Sequence, residues 1–112
     1  MNFDNLAGLL LGNHILKVSK IVLQKVGFKE ALTLAAIQDK EFYDEPIKIS
    51  TQEIEHICNI NDKNYKSWES VEVLTNLGII MHLEEPIFYG DRIEYTLKIN
   101  EKTLYELMEE EK

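Results

Sequence analysis

The sequence predicts a mainly helical α+β domain in which two helices joined by a tight turn lead into a β-hairpin. Three observations predict it. Residues 50–80, STQEIEHICNINDKNYKSWESVEVLTNLGII, read as capped helix, polar turn, second helix, glycine stop and strand. Residues 92–99 alternate Ile93, Tyr95 and Leu97 behind a turn region marked by Pro86 and Gly90, the period of a half-buried strand. The 112 residues are 45% apolar and hold only two prolines and five glycines, so one core under regular structure is expected. A single domain over 1–112 follows, with the helix pair at about 50–77, the hairpin at about 79–99 and a terminal helix at about 101–111.

In chain order, Asp4 is placed to cap a short apolar helix through Leu11, broken by Gly12-Asn13. Residues 14–26 carry Ile15, Val18, Ile21, Val22 and Val26 at mixed spacing, which reads as an extended lead-in and then a helix capped at Ser19 and stopped at Gly27. From Phe28 to about Tyr43, the residues Phe28, Ala31, Leu32, Leu34, Ala35 and Phe42 form a broad apolar face among good helix formers, so this is the expected central buried helix. Asp44-Glu45-Pro46 ends it, because proline drives its predecessor away from helical angles. Ile47 to Ile49 reads as a short strand. Ser50 or Thr51 caps the next helix, and Glu53, three residues after Ser50, gives the reciprocal capping-box spacing, with Ile54, Ile57 and Cys58 inward.

Asn59-Ile60-Asn61-Asp62 supplies turn chemistry, and Asn61 or Asp62 caps the second helix of the pair. That helix runs to Asn76 with Val71 and Leu74 inward, and Gly78 ends it. Residues 79–82 and 92–99 form the hairpin. Its loop, 84–91, holds Ile87, Phe88 and Tyr89 near the tip, three large apolar residues where a purely structural turn uses polar ones. The last helix is capped by Asn100 and gathers Leu104, Leu107 and Met108 on one side.

Composition restricts the chemistry. With 20 acidic and 12 basic residues the formal charge is -8, the wrong sign for indiscriminate phosphate binding, and Arg92 is the lone arginine. Residues 101–112 hold five acids and two lysines, so -3 of that charge belongs to the terminal helix. One cysteine, Cys58, forms no internal disulfide, and its place on an apolar helical side makes it a packed thiol; the chain is expected to be cytoplasmic, with no membrane association. His14, His56 and His82 are scattered, and no HExxH, paired cysteines or GxxxxGK[ST] occurs, so neither an enzyme nor a metal or other cofactor is expected.

The segment from Ile47 to Ile99 resembles the winged helix-turn-helix family of DNA-binding proteins, through the capped STQEI start, the turn around Asn61, the SVEVLTNLGII exit and the hairpin behind it. The stretch SKIVLQKVGFKEALTLAAIQ is similar to the leading helices of winged-helix domains in phage and plasmid replication or maintenance proteins. The resemblance implies a sequence-specific protein of a mobile element that binds double-stranded DNA as a homodimer, at an origin, centromere or operator. It also implies the contacts: Lys63, Asn64, Tyr65, Lys66, Ser67 and Ser70 as early outward residues of a helix in the major groove, and Tyr89, Gly90, Arg92 and Lys98 on a wing against the backbone or in the minor groove.

Trp68, by its spacing from Val71, points to core or dimer packing more than to base contact. The terminal helix and the Leu9–Leu11 cluster are candidate dimer surfaces or simple core closure. The alternative from another class is an acidic winged-helix adaptor that docks a basic protein, such as another product of the same mobile element, through the hairpin or the terminal helix.

Overall fold

The structure is a computed structural model that describes residues 6–11, 14–41, 45–59 and 64–109, with side chains described from residue 20 onward. It is an α+β fold, mainly helical, with a small antiparallel sheet. The first described elements are β1 (Leu6–Leu11) and β2 (His14–Ser19), paired antiparallel from Leu6–Ser19 to Leu11–His14. The helix expected to run through Leu11 is therefore a strand. A six-residue apolar run satisfies either state in sequence, and here the neighbouring segment supplies its hydrogen-bond partners. The cap assigned to Asp4 and the break at Gly12-Asn13 lie outside the described residues.

Helix α1 (Lys20–Val26) follows β2 directly and stops at Gly27, whose φ of 102° suits a residue without a Cβ. Helix α2 (Phe28–Glu41) is the central element: every residue from Ala31 to Ile37 is buried. A helix buried on all sides at its middle must sit between other elements. Phe28 departs from its expected place on the apolar face and is 56% exposed at the first turn; Phe42 and Tyr43 lie outside the described residues.

Strand β3 (Ile47–Ser50) turns Ile47 and Ile49 inward and Lys48 outward. It runs straight into α3 (Thr51–Cys58), whose capping box is complete: the Glu53 amide donates to Ser50 Oγ at 3.1 Å, and the Ser50 amide to Glu53 Oε1 at 3.3 Å. Asn59 closes α3 in the left-handed conformation, with φ 48°. After residues 60–63, which lie outside the described part, α4 (Ser67–Asn76) begins with Lys66 as its N-cap, so the helix starts later than a cap at Asn61 or Asp62 would have it.

The exit from α4 has a built stop. Leu77 is the C-cap, the Gly78 amide donates to the Thr75 carbonyl, and the Ile79 amide reaches back to the Leu74 carbonyl at 3.1 Å. This pairing needs a left-handed residue at Gly78, where φ is 78°, and it sets buried Ile79 beside buried Leu74.

Three further strands complete the sheet: β4 (Ile80–His82), β5 (Ile87–Tyr89) and β6 (Arg92–Ile99). The central β6 pairs with β3 on one edge, and with β4 and then β5 along the other. The segment expected to be an open loop thus carries a strand, and only Gly90-Asp91 forms the tip. The Leu83 amide still donates to the Thr96 carbonyl at 2.8 Å before Glu84-Glu85-Pro86 interrupts the arm. Tyr95, Leu97 and Ile99 of β6 face the core while Lys98 faces out. Helix α5 (Glu101–Glu109) is capped by Asn100, whose Oδ1 accepts from the Thr103 amide, and it closes the core with Leu104, with Leu107 and Met108 packed partly behind.

At Gly78 an added Cβ would meet nothing nearer than Thr103 at 3.7 Å, so the cost of a side chain there is conformational alone. Gly78→Ala is expected to lower the unfolding free energy by about 1–2 kcal/mol, read as a smaller urea midpoint with an unchanged slope.

Candidate functional site

The face that α4 presents is decided by hydroxyl groups. Tyr65, expected to point outward, is only 9% exposed, and its hydroxyl hydrogen-bonds to Thr33 Oγ1 in α2 at 2.7 Å. Ser67, also expected outward, is fully buried: its hydroxyl donates to Glu55 Oε2 at 2.7 Å and lies 3.3 Å from the Thr51 carbonyl. Ser70 is 2% exposed and donates to Glu30 Oε2 at 2.9 Å. None of the three is available to a base edge. A buried hydroxyl without an acceptor is costly, so each of these bonds holds its residue inward.

Glu55 does more than satisfy a hydroxyl. The N-cap of α4 is Lys66, which makes no side-chain capping bond, and the same Glu55 oxygen accepts from the Ser67 amide at 3.4 Å. A carboxylate borrowed from α3 thus sits at the positive end of α4, where a phosphate would otherwise be drawn.

With Val71 and Leu74 inward, helical spacing puts Trp68, Glu69, Glu72, Val73 and Asn76 outward, and Leu77 just past the helix end joins them. Trp68 is 45% exposed, so it is no core residue, and Val73 and Leu77 are exposed to a similar degree. Expectation from sequence missed Glu69, Glu72, Val73 and Leu77 as surface determinants; the inward pair Val71 and Leu74 was the signal that locates them. From Ser67 to Asp91 the chain has five acids, Glu69, Glu72, Glu84, Glu85 and Asp91, and no lysine or arginine.

The remaining expected contacts are dispersed. Asn64 and Lys66 are exposed ahead of α4, in a turn and an extended stretch rather than in the helix; Lys63 lies outside the described residues. On the hairpin, Tyr89 and Gly90 are exposed at the tip, and Lys98 stands near the other end of β6. Arg92 is engaged locally: Nη2 lies 3.2 Å from Glu94 Oε2, and the guanidinium sits 5.1 Å from the centre of the Tyr89 ring. The hairpin is tied to α3 through the Ile93 amide, which donates to Thr51 Oγ1. Ile87, Phe88 and Tyr89 are all exposed, Phe88 by 70%.

Cys58 is buried beneath this arrangement, with its thiol 3.4 Å from the Leu32 carbonyl and 3.9 Å from the Tyr65 hydroxyl. Burial pushes its pKa up to about 11; the nearby Glu55 charge acts in the same direction and the Tyr65 hydroxyl against it. Among the described residues, no three of His, Cys, Asp or Glu stand in an arrangement that could hold a metal ion, and no helix is long and apolar enough to cross a membrane. Comparison with protein-family models, curated proteins and solved structures gives no match for the chain.

Glu55→Ala removes the nearer acceptor of the Ser67 hydroxyl and the acceptor of the first amide of α4, and a loss of about 1–3 kcal/mol in unfolding free energy is expected by urea denaturation. For Cys58, the folded thiol keeps its proton to higher pH than the unfolded one. It therefore contributes stability that is fully present below about pH 9 and lost as pH rises towards 11. Iodoacetamide should accordingly alkylate Cys58 far more slowly in the native protein than in urea at the same mildly alkaline pH.

Proposed function

We propose that the chain is a winged-helix module that works by docking another protein across the outward face of α4. The winged-helix reading draws on element order: α2, β3, α3, α4, then the β4–β5 arm and β6, with β6 between β3 and that arm. What carries the choice of partner is the surface of α4, where Trp68, Val73 and Leu77 stand exposed beside Glu69 and Glu72 with no cation from Ser67 to Asp91. A duplex offers only phosphates and base edges to such a face. The glutamates would be repelled, and no released counterions would compensate. An exposed tryptophan on a surface that also exposes aliphatic side chains has the composition of a protein-binding hot spot. The partner surface that fits carries apolar residues to cover Trp68 and Val73, rimmed by lysine or arginine opposite Glu69 and Glu72.

A second reading is sequence-specific binding of double-stranded DNA by a homodimer, in the replication, partition, transfer or transcriptional control of a plasmid or phage. It rests on the element order and on Asn64 and Lys66 ahead of α4, with Arg92 and Lys98 on the wing. In that reading the wing and the turn before α4 make the contacts, and α4 itself does not.

Trp68 is the single tryptophan of the chain and lies on the face in question, so its emission separates the two readings. An amphipathic leucine-lysine helical peptide is expected to shift that emission to the blue, and the double change Glu69→Lys with Glu72→Lys to abolish the shift. Short duplex DNA at physiological salt is expected to leave it unchanged. DNA retention that falls steeply with salt and disappears in Lys66→Ala with Arg92→Ala would instead establish the second reading.

A further inference from the structure

A groove of about 640 Å³ opens on another part of the surface, where the end of α2, the start of β3, β4, the end of β6 and the start of α5 meet. None of its lining residues belongs to α4. Its apolar surface comes from Pro46, Met81 and Leu83, and Met81 and Leu83 are 40% and 49% exposed. Its acidic side comes from Glu41 at the end of α2, Glu45 in the bend before β3 and Glu101 at the start of α5. Lys98, paired across the sheet with Met81, is the one cation among the described lining residues, so the groove carries an excess of two negative charges.

We infer that this groove is a second docking site, and that its occupant is an extended segment of another protein in which apolar side chains alternate with arginine or lysine. Met81 and Leu83 lie two apart on one arm of the sheet, the spacing at which alternate side chains of an extended chain meet a surface. An apolar side chain set on Pro46, Met81 or Leu83 leaves its neighbours directed towards the carboxylate rim. There an arginine meets oxygen acceptors with fork geometry, and its aliphatic stem covers the methionine and leucine. The rim is already under electrostatic tension: burial first, and then the charges of Glu101 and Glu45, hold the Glu41 carboxyl above the ordinary carboxylate range. A cation placed among the three relieves that repulsion. A nucleic acid or an acidic peptide would add to it. A second copy of this chain is also disfavoured, since the exposed arm beside the groove carries Glu84 and Glu85 and would bring more negative charge to the rim.

The test uses the full chain and a short fluorescein-labelled peptide of alternating leucine and arginine, followed by anisotropy. Saturable binding is expected, weakened about ten-fold in the triple variant Glu41→Gln, Glu45→Gln, Glu101→Gln. The control triple Asp91→Asn, Glu106→Gln, Glu109→Gln removes the same charge from exposed positions elsewhere and should leave affinity within about two-fold. Leu83→Asn should weaken binding with the rim intact, and circular dichroism confirms that each variant is folded. No binding by the wild type, or equal loss in both triples, overturns the groove as a site. Weakening confined to Glu69→Lys with Glu72→Lys also overturns it, while leaving the α4 reading standing; the expected result leaves Trp68 emission unmoved.

Discussion

The orientation of α4 depends on three hydroxyl groups that the protein holds away from water. Tyr65, Ser67 and Ser70 bond to Thr33, Glu55 and Glu30, residues of α2 and α3, and together they leave the helix one way to lie on its neighbours. Apolar packing alone is less exacting, because Val71 and Leu74 would tolerate some rotation of the helix about its axis. Hydrogen bonds at about 2.7–2.9 Å from buried hydroxyls would not. Which side chains reach solvent is thus settled by polar groups that never reach it.

The same bonds link local folding to long-range assembly. The capping box of α3 is made within four residues, and the glycine stop of α4 within six, so both can form early. The Ser70–Glu30 bond spans 40 residues and the Ile93–Thr51 bond 42, and these join helices and hairpin into one body. Glu55 serves both levels, since it lies on one helix and completes the end of the next.

Much of the architecture was legible from residues alone, where the determinants were local. Ser50 with Glu53, the Gly27 and Gly78 stops, the alternation in 92–99 and the inward Val71 and Leu74 all specify their elements within a turn or two. The start of α4 was not legible in the same way. Tyr65, Ser67 and Ser70 look like polar surface residues until Thr33, Glu55 and Glu30 are brought beside them, and Tyr65 lies 32 positions from Thr33. The β1 strand was misread for a related reason, because its partner and not its composition decides its state. The charge of the candidate site was open to inspection throughout, in the absence of any lysine or arginine between Ser67 and Asp91. The groove was not, since Glu41 and Glu45 meet Met81, Leu83 and Glu101 only once the sheet and α5 are in place.

The β5 strand has one further consequence. It pairs with β6 on one side only, and Ile87, Phe88 and Tyr89 stand exposed along it, so among the described residues it is a bare apolar edge of the kind that invites strand-to-strand stacking between molecules. The residues on either side oppose that: Glu84, Glu85 and Pro86 precede it, and Gly90-Asp91 turns the chain immediately after. Such flanks act as gatekeepers, breaking the run of backbone donors and surrounding the sticky triplet with charges that repel their own kind. Acidity that makes this surface a poor match for a polyanion also keeps neighbouring copies in a crowded solution from zipping together.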